Sequence, residues 1–128
     1  MTYYIRNNDN GVAKFLSVEN GQLQCRGNEA PECHWVLNID ENEADNVFYY
    51  IQNVRSQLFL AHFGGERAIM ANQTLQTGQE TSWSLRGFPN RTSINNARTN
   101  GNITADNTLN VTVGNNPQLW TFELINNA

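Results

Sequence analysis

Apolar residues fall in short runs along this chain, and the polar stretches between them are equally short. The longest run is Val47-Phe48-Tyr49-Tyr50-Ile51. That length suits a strand and is far below the ~20 residues a membrane-spanning helix needs. The runs recur in a fixed order. Ile-x-Asn occurs as Ile5-Arg6-Asn7, Ile51-Gln52-Asn53 and Ile94-Asn95-Asn96, at separations of 46 and 43 residues. An apolar pair follows the first two, Phe15-Leu16 and Phe59-Leu60, and Ile103 alone follows the third. Each unit then closes on Trp-x-Leu or Trp-x-Phe: Trp35-Val36-Leu37, Trp83-Ser84-Leu85 and Trp120-Thr121-Phe122. All three tryptophans hold the same place in three units, which span about 2–40, 46–88 and 91–126.

Within a unit the pattern predicts four short strands. In the second they are Val47–Ile51, Leu58–Ala61, Ala68–Ala71 and Ser82–Leu85, a strand every 8–12 residues as in all-β sandwiches and barrels. The Asn of each Ile-x-Asn suits a strand exit, where its side chain can bond the turn that follows. Three propeller blades would be fewer than the usual 4–8, and a solenoid would need distinct capping repeats. Twelve strands in three equivalent units predict a single all-β domain, a β-trefoil: a six-stranded barrel capped by three hairpins.

Composition supports this. The chain has 128 residues, 39% of them apolar and 13 of them aromatic, enough for one packed core. Asparagine accounts for 21 residues, with nine glycines. Both tolerate left-handed turns and are poor in helix interiors. A net charge of -4 and a single lysine, Lys14, argue against a nucleic-acid partner. No membrane partner is expected. The opening Met1-Thr2-Tyr3-Tyr4-Ile5-Arg6 shows no basic stretch leading into an apolar run, so a cytoplasmic location is expected, with Cys25 and Cys33 as reduced thiols.

The three-unit layout with a closing Trp resembles the ricin-B-type trefoils, whose signature is Gln-x-Trp. Gln118-Leu119-Trp120 keeps it; Cys33-His34-Trp35 and Thr81-Ser82-Trp83 do not. Size and asparagine-rich loops resemble the small fungal (mushroom) trefoils, a group of ricin-B-like lectins and of mycocypin and cocaprin protease inhibitors. The inhibitor resemblance implies surface loops that occlude the cleft of papain-like cysteine proteases, with aspartic and legumain-type proteases as further targets. The loops in the corresponding positions are Asn7-Asn8-Asp9-Asn10-Gly11 and, after Arg26, Gly27-Asn28-Glu29-Ala30-Pro31-Glu32. The legumain contact would fall in Asn53-Val54-Arg55-Ser56-Gln57, with Asn53 in the specificity pocket. Read from the repeat alone, Asn53 is simply the strand-end asparagine.

The alternative is a trefoil lectin that binds glycans. A ricin-type sugar site needs an Asp to accept from hydroxyls, an aromatic ring for the C–H face, and an amide to fix orientation. After the second strand of each unit stand Leu16-Ser17-Val18, Leu60-Ala61-His62 and Ile103-Thr104-Ala105-Asp106. Only Asp106 supplies a carboxylate there, while His62 and Phe63 supply a platform without one. Enzymatic activity is not expected, since neither His34 nor His62 lies in a nucleophile motif. Nothing calls for a cofactor. Cys25, Cys33 and His34 read as packed thiols beside a surface imidazole and not as metal ligands. The acidic run from Asp40 to Asp45 reads as a solvated connection between units. The expected function is therefore protease inhibition by loop occlusion, with glycan binding as the alternative.

Overall fold

The computed structural model describes residues 1–7, 14–40, 47–75, 77–106 and 110–125. The first unit contains β1 (Thr2–Asn7), β2 (Phe15–Glu19), β3 (Gln22–Arg26) and β4 (Trp35–Asp40), with a 3-10 turn over Pro31–Cys33. The second contains β5 (Phe48–Asn53), β6 (Phe59–Ala61), β7 (Ile69–Ala71) and β8 (Trp83–Arg86). The third contains β9 (Ser93–Asn96), β10 (Asn102–Ala105), β11 (Val111–Gly114) and β12 (Trp120–Leu124). Outer strands of the units pair around a closed ring. β1 joins β4 through Tyr3 and Trp35, and β4 runs along β5 from Trp35–Asn53 to Asp40–Phe48. β5 joins β8 through Tyr49 and Trp83, and β8 pairs with β9. A bridge from Thr92 to Trp120 and the β12–β1 ladder complete the ring. The inner strands form three hairpins, β2–β3, β6–β7 and β10–β11. This is the β-trefoil that the repeat predicts.

The repeated residues make the core. Ile5, Ile51 and Ile94, then Leu16, Leu60 and Ile103, then the three tryptophans, are all fully buried. Each indole N–H must find an acceptor once it leaves water. The three Nε1 atoms donate to Leu16 O at 3.0 Å, Leu60 O at 2.9 Å and Ile103 O at 3.0 Å. These bonds fix equivalent positions in the units independently of sequence.

The buried asparagines join one unit to the next. Asn53 Nδ2 donates to Glu32 O at 2.8 Å, and its Oδ1 accepts from Ser56 N at 3.0 Å and Ser56 Oγ at 3.1 Å. Asn96 Nδ2 donates to Glu80 O at 3.0 Å, and its Oδ1 accepts from Arg98 N and Thr99 N, both at 3.0 Å. Asn7 Nδ2 donates to Gln118 Oε1 at 2.9 Å, tying the first unit to the third.

Two expectations change. β5 extends to Asn53, two residues past the predicted end, because Gln52 and Asn53 continue the ladder against Val36 and Trp35. Asp40 is not part of a solvated connection; it is buried, and its Oδ2 accepts from Ser82 Oγ at 2.6 Å. The rest of that run lies outside the described residues.

Candidate functional site

The indole bonds put the three units in register. Counting three residues on from Leu16, Leu60 and Ile103 gives Glu19, Phe63 and Asp106 at one equivalent place, at or within two residues past the end of the second strand of each unit. Sequence reasoning missed Glu19 because it searched only as far as Val18 in the first unit. The shared offset from the buried aliphatic residue was the available signal.

Glu19 stands in a polar network built by adjacent elements. Its Oε1 accepts from Arg26 Nη1 at 2.9 Å, and its Oε2 accepts from Gln24 Nε2. Arg26 also reaches Glu32 at 3.5 Å, which pairs with Arg55 at 3.0 Å. Antiparallel register creates this cluster, since Gln24 and Arg26 lie on β3, opposite Ser17 and Phe15 of β2. Glu19 borders two open clefts. One, of about 430 Å³, is lined by Gln24, Arg26, Gly27, Asn28 and Asn110 as well. The other, of about 440 Å³, adds Asn20, Glu32, Arg55 and Ser56. Among the described residues no aromatic ring lines either cleft.

In the third unit Asp106 is exposed and closes its own turn: its Oδ1 accepts from Asn110 N at 3.1 Å, and Asp106 N donates to Asn110 O at 3.0 Å. Beneath it the buried Lys14 donates through Nζ to Asp106 O at 2.5 Å. Gln118, the signature glutamine, is spent on structure. Its Oε1 accepts from Ala105 N at 2.8 Å and its Nε2 donates to Ala105 O at 3.2 Å. In the second unit Phe63 is 54% exposed, but His62 is only 3% exposed. The imidazole lies 2.5 Å from Thr99 Oγ1 through Nδ1 and 2.6 Å from Gly65 O through Nε2. A ring held inside the fold on both nitrogens offers no face to a ligand, so His62 is not part of a platform.

The loops expected to occlude a protease are placed as follows. Asn7 is buried, and Asn8, Asp9, Asn10 and Gly11 lie outside the described residues. Gly27, Asn28, Glu29 and Pro31 are exposed, and Ala30 and Glu32 are half-buried. This loop stands on a firm base: Cys33 N donates to Ala30 O at 2.9 Å, and Glu32 is held by Arg55 and Arg26. Asn53 corrects the legumain expectation. It is fully buried with both ends of its amide bonded, so its side chain cannot enter a protease pocket.

Cys25 and Cys33 are buried free thiols. Burial pushes Cys25 up to about 12, against a lowering influence from Lys14, and burial likewise raises Cys33. Neither is a thiolate nucleophile at neutral pH. His34 stacks edge-on against Tyr4 with ring centroids 5.2 Å apart. Among the described residues, no group of three or more His, Cys, Asp or Glu side chains could hold a metal ion.

No family model matches the chain, and no curated protein matches it. Solved structures do. An endo-β-galactosidase from Clostridium perfringens that releases GlcNAcα1-4Gal matches with a TM-score of 0.78 at 18% identity; the match covers 98% of this chain and 32% of the enzyme. SeviL, solved bound to asialo-GM1 saccharide, matches with a TM-score of 0.72 at 21% identity over 94% of both chains. The Polyporus squamosus lectin, solved bound to a Neu5Acα2-6Galβ1-4GlcNAc epitope, gives 0.71 at 18% identity, covering 94% of this chain and 48% of the lectin. This chain thus spans about a third of the enzyme and half of that lectin. At these identities the likeness establishes the β-trefoil fold.

Proposed function

We propose that this protein binds glycans, with the cleft beside Glu19 as its main site and the turn at Asp106 as a weaker equivalent. The observation that carries this reading is the recurrence of a carboxylate at one structural position in two units, in the first beside amide and guanidinium donors. Sugar hydroxyls both donate and accept. A carboxylate takes the donated hydrogen, while Arg26 and Asn28 supply donors from the same cleft. Without a stacking ring in the cleft, each contact is weak, so useful affinity comes from several sites on one multivalent surface. SeviL and the Polyporus squamosus lectin, both solved with saccharides bound, lend support through their fold. The comparisons offer no support for protease inhibition, the main expectation from sequence, and burial removes Asn53 from it.

The test is a glycan array with the wild type, Glu19→Gln and Asp106→Asn, run beside titrations of papain and pepsin. Glycan binding that weakens about tenfold or more in Glu19→Gln supports the reading, as expected for loss of a charge-assisted hydrogen bond. No glycan bound at high micromolar protein, with papain or pepsin inhibited, would sink it.

A further inference from the structure

The pseudo-threefold repeats an ion pair as well as a core. Three residues before Trp35 stands Glu32, and three before Trp83 stands Glu80; two after Asn53 stands Arg55, and two after Asn96 stands Arg98. Glu32 pairs with Arg55 at 3.0 Å, and Glu80 faces Arg98 at 3.8 Å. At the third junction the same positions hold Pro117 and Asp9, so two of the three carry a Glu–Arg pair by sequence.

The two pairs differ in a way the loops explain. Residues 27–34 join β3 to β4, whereas the longer stretch 72–82 joins β7 to β8. At the first junction the ion pair is closed and Arg26 adds a second cation at 3.5 Å. At the second, a cleft of about 740 Å³ opens between Thr74, Leu75, Thr77, Gly78, Glu80 and Arg98. The Glu80 backbone is fixed there from two sides: its carbonyl accepts from Asn96 Nδ2 at 3.0 Å and from His62 N at 2.9 Å. Its carboxylate lies against Gly78, where any Cβ would collide with both carboxylate oxygens.

We infer that this junction cleft is a separate binding site for a neutral sugar unit carrying vicinal hydroxyls, recognised between Glu80 and Arg98. The inference rests on the glycan-binding reading and adds a site away from Glu19. A separation of 3.8 Å exceeds a hydrogen bond. A diol that enters can donate one hydroxyl to the carboxylate and accept from the guanidinium with the other, replacing water on both. The pair carries no net charge, so an uncharged sugar leaves no charge uncompensated, whereas the attraction of an acidic sugar to Arg98 is opposed by the Glu80 carboxylate 3.8 Å away. Leu75, with its amide held by Thr81 Oγ1 at 2.8 Å, offers a rigid apolar side for a C–H face.

The experiment is an amide-shift titration by NMR with the methyl glycosides of galactose, mannose and glucose, and with glucuronic acid, alongside the glycan array. At least one neutral glycoside is expected to shift Leu75, Thr77, Gly78 and Arg98 saturably. Glu80→Gln should weaken that binding about tenfold, and Gly78→Ala, which displaces the Glu80 carboxylate, should do likewise while the melting transition stays cooperative. Saturation that spares these amides, unchanged affinity in both variants, or a preference for glucuronic acid overturns the junction site and leaves glycan binding at Glu19 standing. A blank glycan array removes the parent reading and this one with it.

Discussion

Replacing Asn53 by Ala tests whether the buried asparagines bind the units together. The side chain is fully buried and joins three partners: Glu32 O in the preceding unit, and the amide and hydroxyl of Ser56 in its own. An average hydrogen bond contributes about 1 kcal/mol net, whereas a buried backbone group left without its partner costs about 1–3 kcal/mol. Ser56 Oγ sits near the surface and can turn to water, so two losses matter: the Glu32 carbonyl and the Ser56 amide. Together they predict a destabilisation of about 3 kcal/mol, which for a domain of this length lowers the melting temperature by about 10 °C. The assay is urea unfolding followed by tryptophan fluorescence, with Asn38→Ala as the control. Asn38 is exposed on β4 and should change stability by less than about 0.5 kcal/mol. If Asn53→Ala also costs less than about 0.5 kcal/mol, the inter-unit clamp is not a source of stability and the argument from burial fails.

Two other consequences are open to measurement. Trp83→Phe keeps most of the ring but strips Leu60 O of its 2.9 Å donor, so it should cost about 2–3 kcal/mol in the same unfolding assay; a loss below about 0.5 kcal/mol would refute the role of the indole bond. Cys25 titrates near 9.0 when unfolded and is pushed up to about 12 by burial, so between those values the folded state holds a proton that the unfolded state has released. Stability should therefore be intact below pH 9 and fall as pH rises toward 12, with a limiting slope of about 1.4 kcal/mol per pH unit for this thiol. Denaturation curves at pH 7, 9 and 10 check this, and stability that rises across that range contradicts it.

Much of the fold was legible because burial and periodicity are local signals. Isoleucine, an aliphatic residue and tryptophan recur in the same order in each unit, and those residues are fully buried. The four predicted strands of the second unit are all present, with ends displaced by one or two residues where ladder pairing, set by the opposite strand, decides the limit. The site was much less legible. Asp106 was visible as a carboxylate after a strand, but Glu19 emerged only when the Trp35 hydrogen bond fixed the register of its unit. His62 looked like half of an exposed platform, yet Thr99 and Gly65 hold it inside, and Thr99 is 37 residues away in sequence. Asn53 was readable both as a loop residue and as a strand end, and only burial chose between them.

The sequence alone determined the threefold repeat, the all-β class and the identity of the core, because these depend on which residues avoid water and at what spacing. Tertiary structure decided what the polar residues do. A carboxylate, an amide or an arginine has the same sequence signature whether it holds two units together or faces a ligand. Its role is set by which distant groups the closed barrel brings within hydrogen-bond reach, as with Asn53 at Glu32 and Arg98 beside Glu80.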